Sequence, residues 1–218
     1  MEIKEKTTME AWKSGMKAVL DEGREFVDTN KRVCREVINL KIEVSDPKKD
    51  IARPIETLNE FKKWVYPPID EIENIILSKK LAPAYAYSYG PAIFNYDNKI
   101  NQVDDFIIPL LKSDPVSRRA TVVLWDPRTD SNPNKKAAPG FVMLHFRIED
   151  GRLNSTAVIR SNDMFFGWPA NIYQMFVLQE YISKKLNCRP GNLATFSISA
   201  HIFKDEFDEI KQVLEKKS

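Results

Sequence analysis

Between residues 141 and 159 two strand-patterned segments, Phe141 to Ile148 and Leu153 to Ile159, meet at Glu149-Asp150-Gly151, whose turn chemistry closes a hairpin. A hairpin pairs its strands antiparallel, so this chain is not assembled wholly from repeating strand-helix crossover units. Helical patterns flank the hairpin on both sides. The order predicts an α+β domain on a mixed or antiparallel sheet. The seven glycines form neither GxGxxG nor GxxxxGK, which removes the phosphate-loop folds that depend on those turns.

Met9, Trp12, Met16, Val19 and Leu20 recur at helical spacing up to Gly23 and predict a helix over 8–23. Val37, Leu40, Ile42 and Val44, in mostly alternating order, predict a half-buried strand over 35–44 that stops at Ser45-Asp46-Pro47. Pro54 opens a helix through Leu58, Phe61 and Val65, Pro67-Pro68 ends it, and Ile69, Ile72, Ile75 and Ile76 mark another helical face. A tyrosine-rich loop follows. Beyond it come a helix over 101–112, a strand over 120–125, and a loop over 126–138 dense in Pro, Asn, Asp and Lys that reads as a lid or tether. After the hairpin, the pattern predicts a long apolar helix over 171–186, a strand over 192–203 and an amphipathic helix over 204–217 with a solvated charged face. No internal repeat is present, and residues 1–218 read as one domain.

Charge narrows the function classes. Thirty-three basic and 31 acidic residues are spread along the chain, so no global field points to nucleic acid or to a membrane surface. Cys34 and Cys188 lie far apart with no CxxC or Cys/His cluster, which argues against a disulfide scaffold and a structural zinc site. No metal is expected. Lys4, Glu5, Lys6, Glu10 and Lys13 interrupt the first twenty residues, leaving no signal-peptide core, and no stretch approaches the length of a membrane span. The expected location is the cytoplasm.

The run Arg160-Ser161-Asn162-Asp163-Met164-Phe165-Phe166-Gly167-Trp168-Pro169-Ala170-Asn171-Ile172 carries the pattern Arg-Ser-x-Asp followed by Gly-x-Pro-x-Asn-Ile. Ser117-Arg118-Arg119, Arg189-Pro190-Gly191-Asn192-Leu193, Ala200-His201-Ile202 and Tyr89-Gly90 ahead of Gln102 accompany it in order. Together these segments resemble the thymidylate synthase and pyrimidine nucleotide hydroxymethylase superfamily, clearly over residues 87–207 and more loosely in the N-terminal third. The chain runs out soon after Ala200-His201-Ile202, as the short archaeal-type members do.

The resemblance implies the thymidylate synthase fold, a mixed sheet flanked by helices, with a homodimer joined through the sheet face. It implies a pyrimidine nucleoside monophosphate as ligand. Arg160 and Ser161 would hold its phosphate from the home subunit while Arg118 and Arg119 reach across from the partner, and guanidinium forks suit phosphate oxygens better than ammonium groups do. Asn171 matches the asparagine that pairs with the base edge, and its amide offers the donor and acceptor that uracil needs. His201 matches a ribose-hydroxyl ligand. Asp163 matches the aspartate that supports the pterin of a tetrahydrofolate- or methanopterin-type carrier.

The match fails at the nucleophile. Where the family has Pro-Cys-His, this chain has Pro139-Gly140-Phe141, and no thiolate stands at Gly140 to add to C6 of the pyrimidine. The family's glutamine in the first hairpin strand is His145, a tyrosine after Ala-His-Ile is Phe203, and an aspartate before it is Ser199. Glu60 aligns with the catalytic glutamate, and Glu60 and His145 are the remaining candidates for proton transfer. A phosphate-loop arginine is Arg32 or Arg35.

Each assignment has a plainer reading. Arg118-Arg119 are a solvated pair taken alone, His145 a satisfied strand histidine, His201 a structural one, and Asn171 an N-cap. Two functional classes follow: a divergent enzyme acting on a uridylate-type nucleotide, or a non-catalytic nucleotide-binding or scaffold dimer. A synthase whose cysteine was replaced by design is disfavoured by the changes at Phe141, His145 and Phe203.

Overall fold

The computed structural model of the chain describes residues 1–63, 66–81, 86–135 and 137–216. It is α+β. In chain order the elements are β1 (Glu2–Glu5), α1 (Thr8–Glu22), β2 (Arg24–Val27), β3 (Val33–Val44), α2 (Arg53–Glu60), α3 (Ile69–Leu77) and α4 (Tyr89–Phe94). There follow α5 (Ile108–Ser113), β4 (Thr121–Val123), α6 (Pro127–Asp130), β5 (Phe141–Glu149), β6 (Arg152–Asp163), α7 (Gly167–Leu186), β7 (Arg189–Phe203) and α8 (Phe207–Glu215). The strand order is β1-β3-β7-β6-β5-β4, with β2 also on β3. β1 runs parallel to β3, while β2 and β7 pair with β3 antiparallel and β4 pairs with β5 antiparallel, which makes the sheet mixed.

Chain contacts divide the molecule into two units. The first contains Met1–Pro67, Ile159–Tyr173 and Asn192–Ser218. Its first helix begins at a capping box: Thr7 Oγ1 accepts from the Glu10 amide at 3.3 Å and Glu10 accepts from the Thr7 amide at 3.0 Å. Gly23 closes α1 at its predicted place, where a Cβ would stand 2.3 Å from the Val19 carbonyl. Trp12, Met16, Leu40, Ile42, Ile55, Leu58, Phe165 and Trp168 are buried. Both tryptophan N–H groups are satisfied, Trp12 Nε1 donating to the Met164 carbonyl at 2.8 Å and Trp168 Nε1 to Thr195 Oγ1 at 3.1 Å.

β3 changes face partway along. Arg35 reaches the Leu20 carbonyl of α1, whereas beyond Asn39 it is Ile42 that lies against Gly15 of α1. Successive strand residues face opposite ways, so an odd position and an even position on one side require a phase shift between them. Asn39 supplies it with a left-handed φ of 59°, which asparagine tolerates. The three-residue step from Val37 to Leu40, which breaks the alternation in the sequence, is the trace of that shift.

The second unit contains Pro68–Val158 and Gln174–Gly191. The hairpin turn has Asp150 and Gly151 both left-handed, at φ 50° and 69°, the geometry of a two-residue turn matched to strand twist. Gln102 ties three segments: its Nε2 donates to the Ala92 and Val123 carbonyls, each at 2.7 Å, and its Oε1 accepts from the Val123 amide at 3.0 Å. The predicted helix over 101–112 starts as a wider π turn, Gln102–Ile107, before α5. The loop over 126–138 holds the short α6, capped by Asp126, which accepts from the Arg128 amide at 3.0 Å.

The sequence reading stops short at several ends. β1 and β2 are four-residue strands rich in charge, too short to display a period. β6 continues to Asp163, α7 begins at Gly167, and β7 begins at Arg189. Val65 and Lys217, placed by pattern in helices, lie outside the described residues. Among the described residues no helix is long and apolar enough to cross a membrane.

Candidate functional site

In the first unit a cavity of about 530 Å³ opens against β3, β6 and β7, with Asp28, Glu36, Arg160, Ser161, Ser199 and His201 on its wall. The antiparallel register sets Glu36 directly opposite His201 and Ile38 opposite Ser199. The Glu36 carboxylate accepts a hydrogen bond from Ser199 Oγ. This side of β3 belongs to Glu36 because Arg35, its neighbour, turns towards α1.

An ionisable cluster adjoins His201. The Arg32 guanidinium lies 3.4 Å over the Phe203 ring, Nη2 donates to Asp205 Oδ1 at 2.9 Å, and the same nitrogen is 3.6 Å from Glu206. His201 meets Phe203 edge-on at 5.2 Å between ring centres. Glu206 is buried and accepts from the Phe203 amide at 3.4 Å. Asp163 Oδ1 accepts from the Phe165 and Phe166 amides at 2.9 and 3.0 Å, and the Phe165 ring stacks on Trp12 at 6.0 Å between ring centres. Burial raises the Asp163 carboxyl above its ordinary range in spite of those amides and of His201. Burial, then the charge of Asp163, pushes Glu206 up to about 8. Burial also lowers His201 against the pull of Asp163, Glu36 and Asp28, so near neutral pH its ring is mainly uncharged, with one donor and one acceptor nitrogen.

Of the residues singled out in the sequence, Arg160, Ser161 and His201 meet on this cavity. Asn171 does not line it. α7 begins at Gly167, so Asn171 lies inside the helix instead of capping it, and its Nδ2 donates to Asn162 Oδ1 at 3.2 Å while Asn162 Nδ2 donates to Ser197 Oγ at 2.9 Å. Asp163 is not on this wall. Glu60 is exposed at the end of α2, ion-paired with Lys216 and 3.7 Å from Arg53. Arg32 and Arg35 are engaged as described, and neither is on the cavity wall.

The remaining candidates lie in the second unit. Arg118 and Arg119 are exposed just before β4, and neither makes an ion pair with a described residue. His145 sits opposite Thr121 in the β4–β5 register, with its Nδ1 3.0 Å from Thr121 Oγ1, and burial with the nearby Arg147 lowers its pKa. Gly140 is buried immediately before β5. The Tyr89 ring centre is 4.6 Å from that of Phe141 and 5.7 Å from that of Tyr87, and burial raises the pKa of its hydroxyl. Among the described residues no three His, Cys, Asp or Glu side chains form a set able to hold a metal ion.

Glu36, Asp28 and Glu206 are members of these groupings that the sequence reading did not pick out. Glu36 left one signal, a charged residue just ahead of the broken alternation in β3. Glu206 left none, because it reads as one more charge on an amphipathic helix.

The sequence profile of the thymidylate synthase family matches residues 10–218 of this chain. A protein of Methanosarcina barkeri that carries the name "Putative thymidylate synthase" is 31% identical over 212 residues, covering 97% of this chain and 94% of its own length. One of the same name from Methanocaldococcus jannaschii is 31% identical over 218 residues, covering 96% and 94%. A third, from Methanococcoides burtonii, is 29% identical over 212 residues, covering 97% and 94%.

Proposed function

This chain belongs to the thymidylate synthase family, and from that premise we propose that its cavity binds a pyrimidine nucleoside monophosphate of the uridylate type. The observation that carries the reading is the meeting of Arg160, Ser161 and His201 on one wall of a cavity whose volume falls within the roughly 300–1,000 Å³ typical of small-ligand sites. Arg160 offers a fork of donors and Ser161 a hydroxyl to phosphate oxygens. The neutral ring of His201 suits a sugar hydroxyl, which both donates and accepts. The preference for a uridylate-type base comes from the resemblance through Asn171, whose amide donates to Asn162 and does not line this cavity.

The charge on the wall argues for a homodimer. Among the described residues the wall carries Arg160 together with Asp28 and Glu36, and a phosphate monoester carries close to two negative charges. One guanidinium against two carboxylates does not balance that dianion. Arg118 and Arg119, exposed and without ion pairs, are the cations that a second copy would bring, as the family resemblance implies.

The chemistry departs from thiolate addition. At Gly140 there is no side chain to form a bond to C6. The folate-type carrier expected for the family finds no binding set on this cavity. Asp163 is not on its wall and its Oδ1 is taken by two amides. Binding without turnover is the second reading, favoured by the engagement of both proton-transfer candidates elsewhere, Glu60 with Lys216 and His145 with Thr121.

Calorimetric titration with uridylate, deoxyuridylate, cytidylate and thymidylate tests the proposal. Saturable binding that needs the phosphate supports it; no binding of any of the four overturns it. Incubation of Gly140→Cys with C5-tritiated deoxyuridylate then separates the two readings. Tritium release would show that only the thiol is missing, and its absence in a variant that binds nucleotide supports binding without the family's chemistry.

A further inference from the structure

We infer that this site selects ribonucleotides over deoxyribonucleotides, with Glu36, held by Ser199, accepting the hydrogen bond of the sugar 2′-hydroxyl beside His201. The inference rests on the nucleotide reading above and adds the sugar to it.

Glu36 and His201 are directly opposed across β3 and β7, and opposed side chains start about 5 Å apart at Cβ. Two hydrogen-bonding groups at that spacing can address hydroxyls on adjacent carbons. One of the pair is a neutral imidazole. The other is a carboxylate, which is acceptor-only and has room for several donors. Ser199 Oγ supplies one donor to Glu36 and fixes the side chain on the cavity wall. A hydroxyl at C2′ would supply another; the hydrogen of a deoxyribose cannot.

The orientation of the ligand follows from charge. The phosphate belongs near Arg160 and Ser161 on β6, and Glu36 would repel it. β6, β7 and β3 are consecutive in the sheet, which separates the Arg160 strand from the Glu36 strand by two strand spacings, about 10 Å. The sugar edge, not the phosphate, is therefore the part of a nucleotide that meets Glu36.

Phe203 adds independent support. The resemblance places a ribose-bonding tyrosine hydroxyl there, and the phenylalanine ring that replaces it is covered by Arg32 at 3.4 Å. That position no longer offers a polar group to the sugar. Ser199, which stands where the resemblance has an aspartate, is the residue that holds Glu36. Polar recognition of the sugar has moved from the 203 position to the Glu36–Ser199 pair.

The test is equilibrium binding to the full chain of three pairs: uridylate and deoxyuridylate, cytidylate and deoxycytidylate, ribose 5-phosphate and 2-deoxyribose 5-phosphate. The ribo form is expected to bind at least about tenfold tighter within each pair that binds, as suits a hydrogen bond to a charged group. 2′-Deoxy-2′-fluorouridylate, which cannot donate at C2′, should bind the unaltered protein like deoxyuridylate. Glu36→Ala should lose the preference, the ratio of ribo to deoxy affinity falling to about one. If Glu36→Ala fails to fold, Ser199→Ala and the fluoro analogue carry the test. Equal binding within each pair, or fluoro and ribo forms binding alike, overturns this inference and leaves the nucleotide reading standing. No binding by any of the probes overturns both.

Discussion

His201 and Tyr89 are both enclosed side chains in segments of strong family resemblance, yet their surroundings differ in kind. Around His201 the chain has gathered charge: Arg160 and Glu36 on the cavity wall, and Asp163, Glu206 and Arg32 nearby. Around Tyr89 it has gathered aromatic rings, those of Tyr87 and Phe141. Keeping several ionisable groups out of water is costly unless they are paired or bind something. The first region has retained that cost; the second has shed it.

The largest expected effect bears on the first region. Arg160→Ala should weaken nucleotide binding by about 2–4 kcal/mol in calorimetry, with thermal unfolding little changed, since the guanidinium lies on a cavity and not in the core. Unaltered affinity in this variant would erase the contrast.

The buried acid gives an effect of similar size that appears only with pH. Glu206 titrates near 8 in the folded chain and near 4.5 when unfolded, so the native state binds the extra proton between those values. Stability from this group is full below about pH 4.5 and is lost as pH rises to about 8. Glu206→Gln, which mimics the protonated acid, should match the unaltered protein in denaturant melts at pH 5 and exceed it at pH 9 by about 2–4 kcal/mol. Parallel stability curves across that range would mean that Glu206 is not held as an acid.

In the second region the effects should be structural. Tyr89→Phe removes a buried hydroxyl packed against Tyr87 and Phe141 and should change stability by no more than about 1–2 kcal/mol in chemical denaturation, with nucleotide affinity unchanged. A loss of affinity larger than the loss of stability would place the Tyr89 hydroxyl among the ligand's contacts. Smallest of all is Glu60→Ala. Its exposed pairs with Lys216 and Arg53 predict a change within about 0.5 kcal/mol in stability and none in binding. A large loss of binding would restore Glu60 to the site.

Much of the fold was legible because its signals are local. The cap at Gly23, the turn at Asp150-Gly151 and the apolar face of α1 depend on near neighbours in the chain, and the sequence carried them intact. The site was legible in part. Arg160, Ser161 and His201 could be named from their motifs, while Glu60, Asn171 and His145 carried equally suggestive matches and have partners away from this cavity.

What the sequence determined by itself is the α+β class, the hairpin, the family, and the absence of a thiol at position 140, because each is written in residue identity or short-range period. Only the tertiary structure decided that Glu36 faces His201 and that Glu206 is a buried acid. The first needs the β3–β7 register and the phase shift at Asn39; the second needs Arg32, Asp163 and Phe203 from distant segments to enclose one carboxyl. Register and enclosure are properties of pairs far apart in the chain, and no local pattern encodes them.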